Sequence, residues 1–351
     1  MTLPLQNKVF LLSRRWAHHS SHSGYDILGN HIGTVLSSHA VPNWILGDRL
    51  FYAMTKNMTG YDRVGLALEL LALRHMASHK RCVYHFLYGE NTCNYIGHFN
   101  GWRGHRVVAT YHKPPKYFED KIRKTNSIEK LSSVFLVGRN QYDSFAGVVP
   151  DDHLYYLPHP VDTSFFLPPR DFRERKTNLC LFVGAHLRDY ETLRAVIENA
   201  WIKAPQIKFI VVAYPPMRGE FKGLVGNYEI VSGISEAELL HLYRIATLLV
   251  MPLQETTANN TVLEAMSCGL PIIVTDIGAI RDYTSDDCAA FVHPYDPDEM
   301  LDAILLVLKS DRKRRDMSNN ARDLVLRFDW REIVCSYESI YTEILSGDLR
   351  I

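Results

Sequence analysis

The stretch Leu248–Thr275 reads LLVMPLQETTANNTVLEAMSCGLPIIVT and predicts a strand, a polar loop, a helix and a second strand in succession. The first apolar run ends at Pro252, a helix begins near Thr261 and stops at Gly269, and a second apolar run follows. Strands joined in this way lie parallel in an α/β fold. The N–H groups at the helix start, together with the helix dipole, favour an anion such as phosphate. The stretch therefore predicts an α/β unit with an anion site.

Glu264 lies about one turn into the predicted helix, where its carboxylate can accept hydrogen bonds from the hydroxyls of a ribose. The alternative is a generic strand–helix–strand unit, in which Glu264 is a solvated acid that only favours the helix dipole. The residues alone leave both interpretations open.

The alternation of strand-like and helix-like segments extends through the chain in both directions. Apolar runs typical of buried strands are found at 9–13, 82–87, 106–110, 134–137, 179–183, 207–213, 228–231, 248–251, 272–275 and 289–292. This rhythm predicts parallel sheets covered by helices on both faces. The proline-rich segment 157–173, LPHPVDTSFFLPPRDFR, interrupts it and is predicted to link two domains. We expect an N-terminal domain of residues 1–165 plus 330–351 and a C-terminal domain of residues 166–329.

Composition is ordinary for a globular protein and excludes some classes of function. The 351 residues are 46% hydrophobic and 22% charged, with a net charge of zero, which argues against binding driven by nucleic-acid phosphates. No apolar run reaches the roughly 18–20 residues that span a bilayer, and no signal peptide is recognised. The six cysteines form no CxxC pair and are expected to be reduced. We expect a cytoplasmic protein, with peripheral contact at the inner face of the membrane if its acceptor is a lipid.

The string ANNTVLEAMSCGLPII at 258–273 resembles the donor-site signature of the retaining glycosyltransferases of family 4, which have the GT-B fold. The resemblance implies two Rossmann-like domains facing each other across a cleft, with the C-terminal helix crossing back to the first domain. The N-terminal domain would bind the acceptor and the C-terminal domain the sugar nucleotide.

The resemblance assigns donor-binding roles in the second domain. It implies that Glu264 holds the ribose, while Thr261, Val262 and Leu263 bind phosphate through their N–H groups. The segment VSGISEAELLHLYRIATLLVMP at 231–252 is similar to the family stretch that touches the nucleobase, where the backbone near Ile234 reads the base edge.

A second resemblance concerns the leaving group. LFVGAHLRDYETL at 181–193 is similar to the strand–glycine–basic segment of the family. It implies that Gly184 allows close approach of the diphosphate and that Arg188 contacts the departing phosphate. Ala185 stands where a further basic residue is common. In the alternative, Arg188 is a solvated surface arginine beside Asp189.

The first glutamate of the family pattern does not match. The family separates its two glutamates by seven residues, whereas eight residues separate Glu255 from Glu264, and Thr256 occupies the expected position. Either Glu255 acts in catalysis at the sugar, or the following loop binds the sugar hydroxyls instead. The residues of that loop are Thr257, Ala258, Asn259 and Asn260.

The N-terminal half offers fewer candidates. Gly24, before a predicted helix, matches the family loop near the donor phosphates, and His112, just past a strand, matches a family histidine near the donor sugar. We treat His112 as a catalytic candidate. His18, His22 and Glu90 are acceptor-side candidates, and the histidines near residue 20 lack the cysteines or carboxylates that would support a metal site.

The implied reaction is hexose transfer with retention, best matched by UDP-glucose as donor and a saccharide or lipid-linked acceptor in polysaccharide or glycoconjugate biosynthesis. No metal and no cofactor are expected: the Asp296-Pro297-Asp298 triplet precedes a late helix, where Asp298 is predicted to be the N-cap. The alternatives are a non-catalytic sugar-nucleotide-binding subunit of a polysaccharide assembly complex, a GT-B epimerase or a phosphorylase. The oligomeric state stays open.

Overall fold

The computed structural model describes residues 5–14, 22, 24–37, 61–117 and 127–346. The chain divides into two compact units, which are residues 1–160 with 330–351 and residues 161–329. The expected boundary after 165 is thus five residues late. Residues 161–165 belong to the second unit because the Val161 N–H donates to the Phe328 carbonyl (2.9 Å) and the Thr163 hydroxyl donates to the Asp329 carboxylate.

The first unit contains a six-stranded parallel sheet in the order β2-β1-β3-β4-β5-β6. Its strands are β1 (Val9–Ser13), β2 (Thr34–Ser37), β3 (Val83–Phe86), β4 (Arg106–Tyr111), β5 (Ser133–Leu136) and β6 (Leu154–Tyr156). Its helices before the second unit are α1 (Arg63–Ser78), α2 (Gly89–Thr92) and α3 (Tyr142–Phe145). The central strands were expected from their apolar runs, but the edge strands β2 and β6 were not.

The second unit contains another six-stranded parallel sheet, in the order β12-β11-β10-β7-β8-β9. Its strands are β7 (Leu179–Val183), β8 (Lys208–Val212), β9 (Tyr228–Val231), β10 (Leu248–Met251), β11 (Ile272–Thr275) and β12 (Ala289–Val292). Its helices are α4 (Tyr190–Lys203), α5 (Glu236–Ile245), α6 (Asn260–Ser267), α7 (Ile280–Tyr283), α8 (Pro297–Leu308) and α9 (Asp311–Val325). The residues of β10 and β11 are all buried, and every strand of this sheet was expected from the sequence.

The last helix, α10 (Trp330–Ser346), packs within the first unit. Its buried Tyr337 and Tyr341 lie against Phe135 of β5, with ring centroids 5.3 and 6.2 Å apart. The Tyr341 hydroxyl lies 2.5 Å from His85 Nδ1, and the Tyr337 hydroxyl is hydrogen-bonded to that of Tyr25. The C-terminal residues therefore complete the core of the unit that begins the chain.

Of two predicted helix N-caps, one agrees with the structure and the other does not. Ser235 caps α5 in a capping box with Glu238, as its spacing predicts. The prediction that Asp298 caps α8 is wrong: the Asp296 side chain accepts from the Glu299 N–H (2.9 Å), and Pro297 is the first helical residue. In the described part of the chain, no helix is long and apolar enough to cross a membrane.

Candidate functional site

Two loops of the second unit are joined at the carboxyl ends of neighbouring strands. The loop after β7 and the loop after β10 are tied by backbone hydrogen bonds, from Asp189 N–H to Pro252 (3.0 Å) and from Gln254 N–H to Leu187 (3.0 Å). The carboxyl ends of parallel strands are where ligands bind in α/β folds. The pairing fixes the positions of the side chains that these loops carry.

The partly buried guanidinium of Arg188 is held between these loops. Its Nε donates to the Val183 carbonyl (3.1 Å) and its Nη1 to the His186 carbonyl (3.2 Å). Its Nη2 lies 3.4 Å from Asn259 Oδ1 and 3.2 Å from Thr261 Oγ1. All four acceptors are uncharged, and among the described residues no carboxylate oxygen lies within the 4.0 Å of an ion pair.

Burial lowers the pKa of Arg188 to about 10, so the side chain still carries its charge at neutral pH. A cation that is partly removed from water and bonded only to neutral groups attracts an anion more strongly than a solvated one. The arrangement is therefore suited to binding a phosphate.

The alternative in which Arg188 pairs with Asp189 at the surface is wrong. Asp189 is buried and caps α4, where its carboxylate accepts from the Thr192 N–H (3.0 Å) and hydroxyl (2.6 Å). Gly184 lies beneath the guanidinium: a Cβ there would come within 2.9 Å of Arg188 Nη2, and its φ of 101° is unfavourable for other residues. The positive φ favours glycine at this position, and the lack of a Cβ leaves room for the guanidinium.

The start of α6 supplies N–H groups beside Arg188, although not the set that was predicted. Asn259 caps this helix: its Oδ1 accepts from the Val262 N–H (3.3 Å) and its carbonyl from the Leu263 N–H (3.1 Å). These two N–H groups already have acceptors. Within the described residues, those of Asn260 and Thr261 have none, so they are the ones available to an anion.

Glu264 is buried in α6 and accepts a hydrogen bond from the Tyr243 hydroxyl of α5 (2.9 Å). The bond uses Oε2 and leaves the position of the carboxylate fixed by a neighbouring helix. Sequence reasoning missed Tyr243. Its spacing from Leu240 predicts only a buried helix face, and nothing in the sequence pairs it with Glu264.

The loop after β10, where the glutamate pattern departs from the family, places Thr256 and Glu255 in different environments. Thr256, at the expected glutamate position, is buried, and its carbonyl accepts from the Ala279 N–H (3.1 Å). Glu255 is half-buried, and its Oε1 accepts from the Thr256 N–H (3.0 Å). A Cβ on Gly278 would clash with the Thr256 carbonyl oxygen and lie 2.5 Å from Glu255 Oε1, so this glycine makes room for both groups.

The rest of the loop is largely used by the protein itself. Thr257 and Asn259 are buried, and Ala258 packs on the core of the unit. The side-chain oxygen of Asn259 accepts hydrogen bonds from both the Val262 N–H and the Arg188 guanidinium. The accessible polar side chains of the two alternatives for the missing glutamate are therefore those of Glu255 and Asn260, which are both half-buried.

Ile234 lies after β9, at the edge of the same sheet and two strands away from β7. Ile234 is half-buried. It lies between Gly233, which has a φ of 68°, and Ser235, which caps α5. Its backbone N–H and carbonyl make no hydrogen bond within the part of the chain that is described. These groups are available to read the edge of a base.

The candidates of the first unit are brought together around His112. The His112 N–H donates to Glu90 Oε2 (3.3 Å), and its Nδ1 lies 3.8 Å from Oε1. Tyr25 and Tyr88 pack on the imidazole with ring centroids 4.7 and 4.8 Å away. Burial acts to raise the pKa of the Glu90 carboxyl, but hydrogen bonding and the charge of His112 outweigh it and lower that pKa.

The N-terminal loop reaches the same place through Gly24. Gly24 has φ 121° and precedes a 3-10 helix, Tyr25–Asn30, whose first residue contacts His112. His22 is half-buried, and His18 lies outside the described residues. In the described ranges, no three His, Cys, Asp or Glu side chains are arranged to hold a metal ion.

Residues 169–324 match the family model described as "Glycosyl transferases group 1". The second unit is a group 1 glycosyltransferase domain. The chain is 26% identical over 208 residues to an MMP alpha-(1->4)-mannosyltransferase of Mycolicibacterium hassiacum. This alignment covers 56% of this chain and 50% of that protein. It is 31% identical over 114 residues to the N-acetyl-alpha-D-glucosaminyl L-malate synthase of Bacillus anthracis, covering 32% and 29% of the two chains.

The chain matches between 26% and 53% of the length of its first curated relatives. Solved structures extend the likeness of fold to both units. A sucrose-phosphate synthase from Thermosynechococcus elongatus superposes with a TM-score of 0.74 at 18% identity, over 97% of this chain and 100% of that one. Anabaena HepE in complex with UDP gives 0.71 at 13% identity, over 96% and 100%. With the group 1 domain, these likenesses show a GT-B fold.

Proposed function

We propose that the protein is a glycosyltransferase that moves a hexose from a nucleoside diphosphate sugar to a hydroxyl of a saccharide or lipid-linked acceptor. The observation that carries this proposal is the Arg188 guanidinium, which is partly desolvated, bonded only to neutral acceptors and adjacent to the start of α6. Such a group needs an anion to complete it, and a diphosphate next to Glu264 would place a ribose by the carboxylate. The group 1 domain supports the same reaction class.

The chemistry follows from the charge that develops on the leaving group. As the glycosidic bond to phosphate loosens into an oxocarbenium-like state, the nucleoside diphosphate becomes more negative. Arg188 and the N–H groups of Asn260 and Thr261 stabilise that charge, in the manner of an oxyanion hole. Because these groups supply the positive field, the proposed reaction needs no metal ion.

Retention is the proposed stereochemistry. The acceptor hydroxyl approaches on the face that the diphosphate leaves, and a phosphate oxygen accepts its proton, so that no dedicated base is required. Glu255 is proposed to contact the sugar from its half-buried position. In the first unit, His112 and Glu90 are proposed to bind saccharide hydroxyls.

UDP-glucose is the proposed donor. Solved structures of Anabaena HepE, with the same fold, are complexes with UDP and with UDP-glucose. The curated relatives include mannosyltransferases and an N-acetyl-alpha-D-glucosaminyl L-malate synthase, so the sugar has to be tested directly. A thermal-shift panel of UDP-, GDP- and ADP-sugars identifies the donor, because a bound ligand raises the unfolding temperature by mass action.

Arg188→Ala tests the observation that carries the proposal. We expect it to lower the rate of transfer by about 10²-fold or more and to remove most of the nucleotide-dependent thermal shift. Arg188→Lys keeps the positive charge but loses the planar guanidinium, so its rate of transfer should lie between those of Arg188→Ala and the wild type. Arg312→Ala is the matched control, because that side chain is 93% exposed.

Unimpaired transfer by a folded Arg188→Ala protein would exclude the leaving-group role. A product of inverted anomeric configuration, detected by NMR coupling constants, would exclude retention. Binding of the donor with neither transfer nor slow hydrolysis would instead indicate a non-catalytic binding subunit.

A further inference from the structure

Basic residues precede four neighbouring strands of the first sheet. Lys8 precedes β1, Lys80 and Arg81 precede β3, Arg103 precedes β4, and Lys130 precedes β5. Adjacent strands are about 4.8 Å apart, so these residues form a row along the amino-terminal edge of the sheet. We name these five residues the basic edge.

Backbone contacts confirm that neighbours in this row are close together. Lys8 Nζ donates to the Lys80 carbonyl (3.2 Å), and the Arg81 N–H donates to the Arg103 carbonyl (3.2 Å). Arg103 Nε in turn donates to the carbonyl of His79 (3.0 Å), the residue that follows α1. These contacts join Lys8, Lys80, Arg81 and Arg103 into one surface, and Lys130 extends the row before the adjacent strand β5.

The charges of the basic edge are not neutralised by ion pairs with the described residues. Lys80, Arg81, Arg103 and Lys130 are all exposed, and no carboxylate of those residues lies within 4.0 Å of any of the five. Acidic side chains at this edge of the sheet include Glu129, beside Lys130, and Glu338 of α10, which lines a pocket with Leu5 and Gln6 just before β1. Asp151 and Asp152 precede β6 at the far end of the sheet. A positive patch on a chain of zero net charge is consequently local.

A short loop places aromatic rings beside these cations. Gly101, Arg103 and Gly104 have φ angles of 85°, 53° and 76°, and the Gly101 N–H closes the loop on the His105 carbonyl (2.9 Å). Trp102 is 43% exposed and Phe99 is 38% exposed, with ring centroids 6.4 Å apart. A Cβ on Gly101 would meet no atom within 4 Å, so the loop projects from the protein.

We propose that the basic edge, with Trp102 and Phe99, docks the protein peripherally on an anionic phospholipid surface. Lys and Arg side chains near such a surface are attracted to its headgroups, and Trp partitions into the interface between headgroups and acyl chains. Single-stranded nucleic acid is the other polyanion to consider, but its proteins stack bases on aromatic platforms. Here the two rings meet edge-on at 68° at a loop, which favours insertion over stacking.

The proposal stands apart from the proposed reaction. Glu90 and His112 follow the carboxyl ends of β3 and β4, at the opposite edge of the same sheet. Changes at the basic edge should therefore leave the transfer rate with a water-soluble acceptor unchanged.

Sedimentation of the full chain with sucrose-loaded vesicles tests the inference. Vesicles of phosphatidylcholine alone are compared with vesicles containing about one-third phosphatidylserine, at low and high salt. We expect binding to the anionic vesicles only, and loss of that binding as salt increases. The double variant Lys80→Glu/Arg81→Glu should bind about 25-fold more weakly or worse, from about fivefold per basic residue.

Two further variants keep the result interpretable. Lys222→Glu/Lys313→Glu makes the same charge change at exposed positions of the second unit and should bind as the wild type does. Trp102→Ala should weaken binding while preserving its salt dependence, because it removes insertion and keeps the cations. Equal binding to neutral vesicles, equal loss in the control double variant, or binding to single-stranded RNA without binding to vesicles would each overturn the proposal.

Discussion

Glu264→Gln offers a sharp test of the donor site, because Tyr243 controls how the new side chain can sit. In the wild type, the Tyr243 hydroxyl donates to Glu264 Oε2 (2.9 Å), and both residues are buried. A glutamine keeps this bond by turning its amide oxygen toward Tyr243. Its NH₂ group then occupies the position of the other carboxylate oxygen, where it cannot accept from a ribose hydroxyl.

The magnitude follows from the bond that is lost. A hydrogen bond to a charged group contributes about 1.5–3 kcal/mol, so Glu264→Gln should weaken binding of UDP by roughly 10- to 150-fold. The double variant Glu264→Gln/Tyr243→Phe removes the hydroxyl that orients the amide. It should recover part of the affinity, because the amide oxygen is then able to face the ribose.

Isothermal titration with UDP and with its 2′,3′-dideoxy analogue provides the assay. The analogue lacks the ribose hydroxyls, so Glu264→Gln should leave its affinity unchanged while lowering that of UDP. Equal losses for the two ligands would refute the contact with the ribose. An unchanged affinity for UDP would refute any role of Glu264 in nucleotide binding.

Two other buried side chains of the first unit lead to predictions on stability. Burial lowers the pKa of His85 to about 3, while in the unfolded chain it is about 6.5. The free energy of unfolding of the wild type should therefore decrease as pH falls from about 6.5 toward 3. The melting temperature of His85→Gln should decrease less over the same pH range. Equal slopes of melting temperature against pH for the two proteins would contradict this. Glu69 accepts hydrogen bonds from the N–H groups of Asn94, Tyr95 and Ile96, at 2.5, 2.8 and 3.1 Å. Glu69→Ala should therefore lower the free energy of unfolding, measured in urea, by about 3 kcal/mol or more. A decrease below about 1 kcal/mol would show that these N–H groups find other acceptors.

The strands that were predictable from the sequence are those that the fold buries on both faces. All of Leu248–Met251 and Ile272–Thr275 is buried, so their apolar runs are unbroken. The missed strand Thr34–Ser37 is an edge strand with exposed and half-buried residues, and Leu154–Tyr156 has only three residues. Hydrophobic patterning does not distinguish such edges from loops.

The candidate site was predictable where one residue acts alone and less so where residues act in pairs. Arg188 was found from its segment, but the Tyr243–Glu264 bond joins two helices and leaves no local pattern. The resemblance assigned the Val262 N–H to phosphate, as the unbonded N–H groups of an ideal helix start would allow, whereas in the structure this N–H already donates to the Asn259 side chain. At α8, by contrast, Pro297 was an available signal: proline favours the first helical position, which makes the preceding aspartate the cap.

The placement of α10 in the first unit has a consequence for how the chain is synthesised. The ribosome synthesises residues 1–160 before the second unit, yet the aromatic face formed by Phe135 and the His85 imidazole finds its partners, Tyr337 and Tyr341, only in a segment made after that unit. The group 1 domain is contiguous and is complete before that segment is made. Since domains fold as units during translation, the first unit should reach its native state after the second.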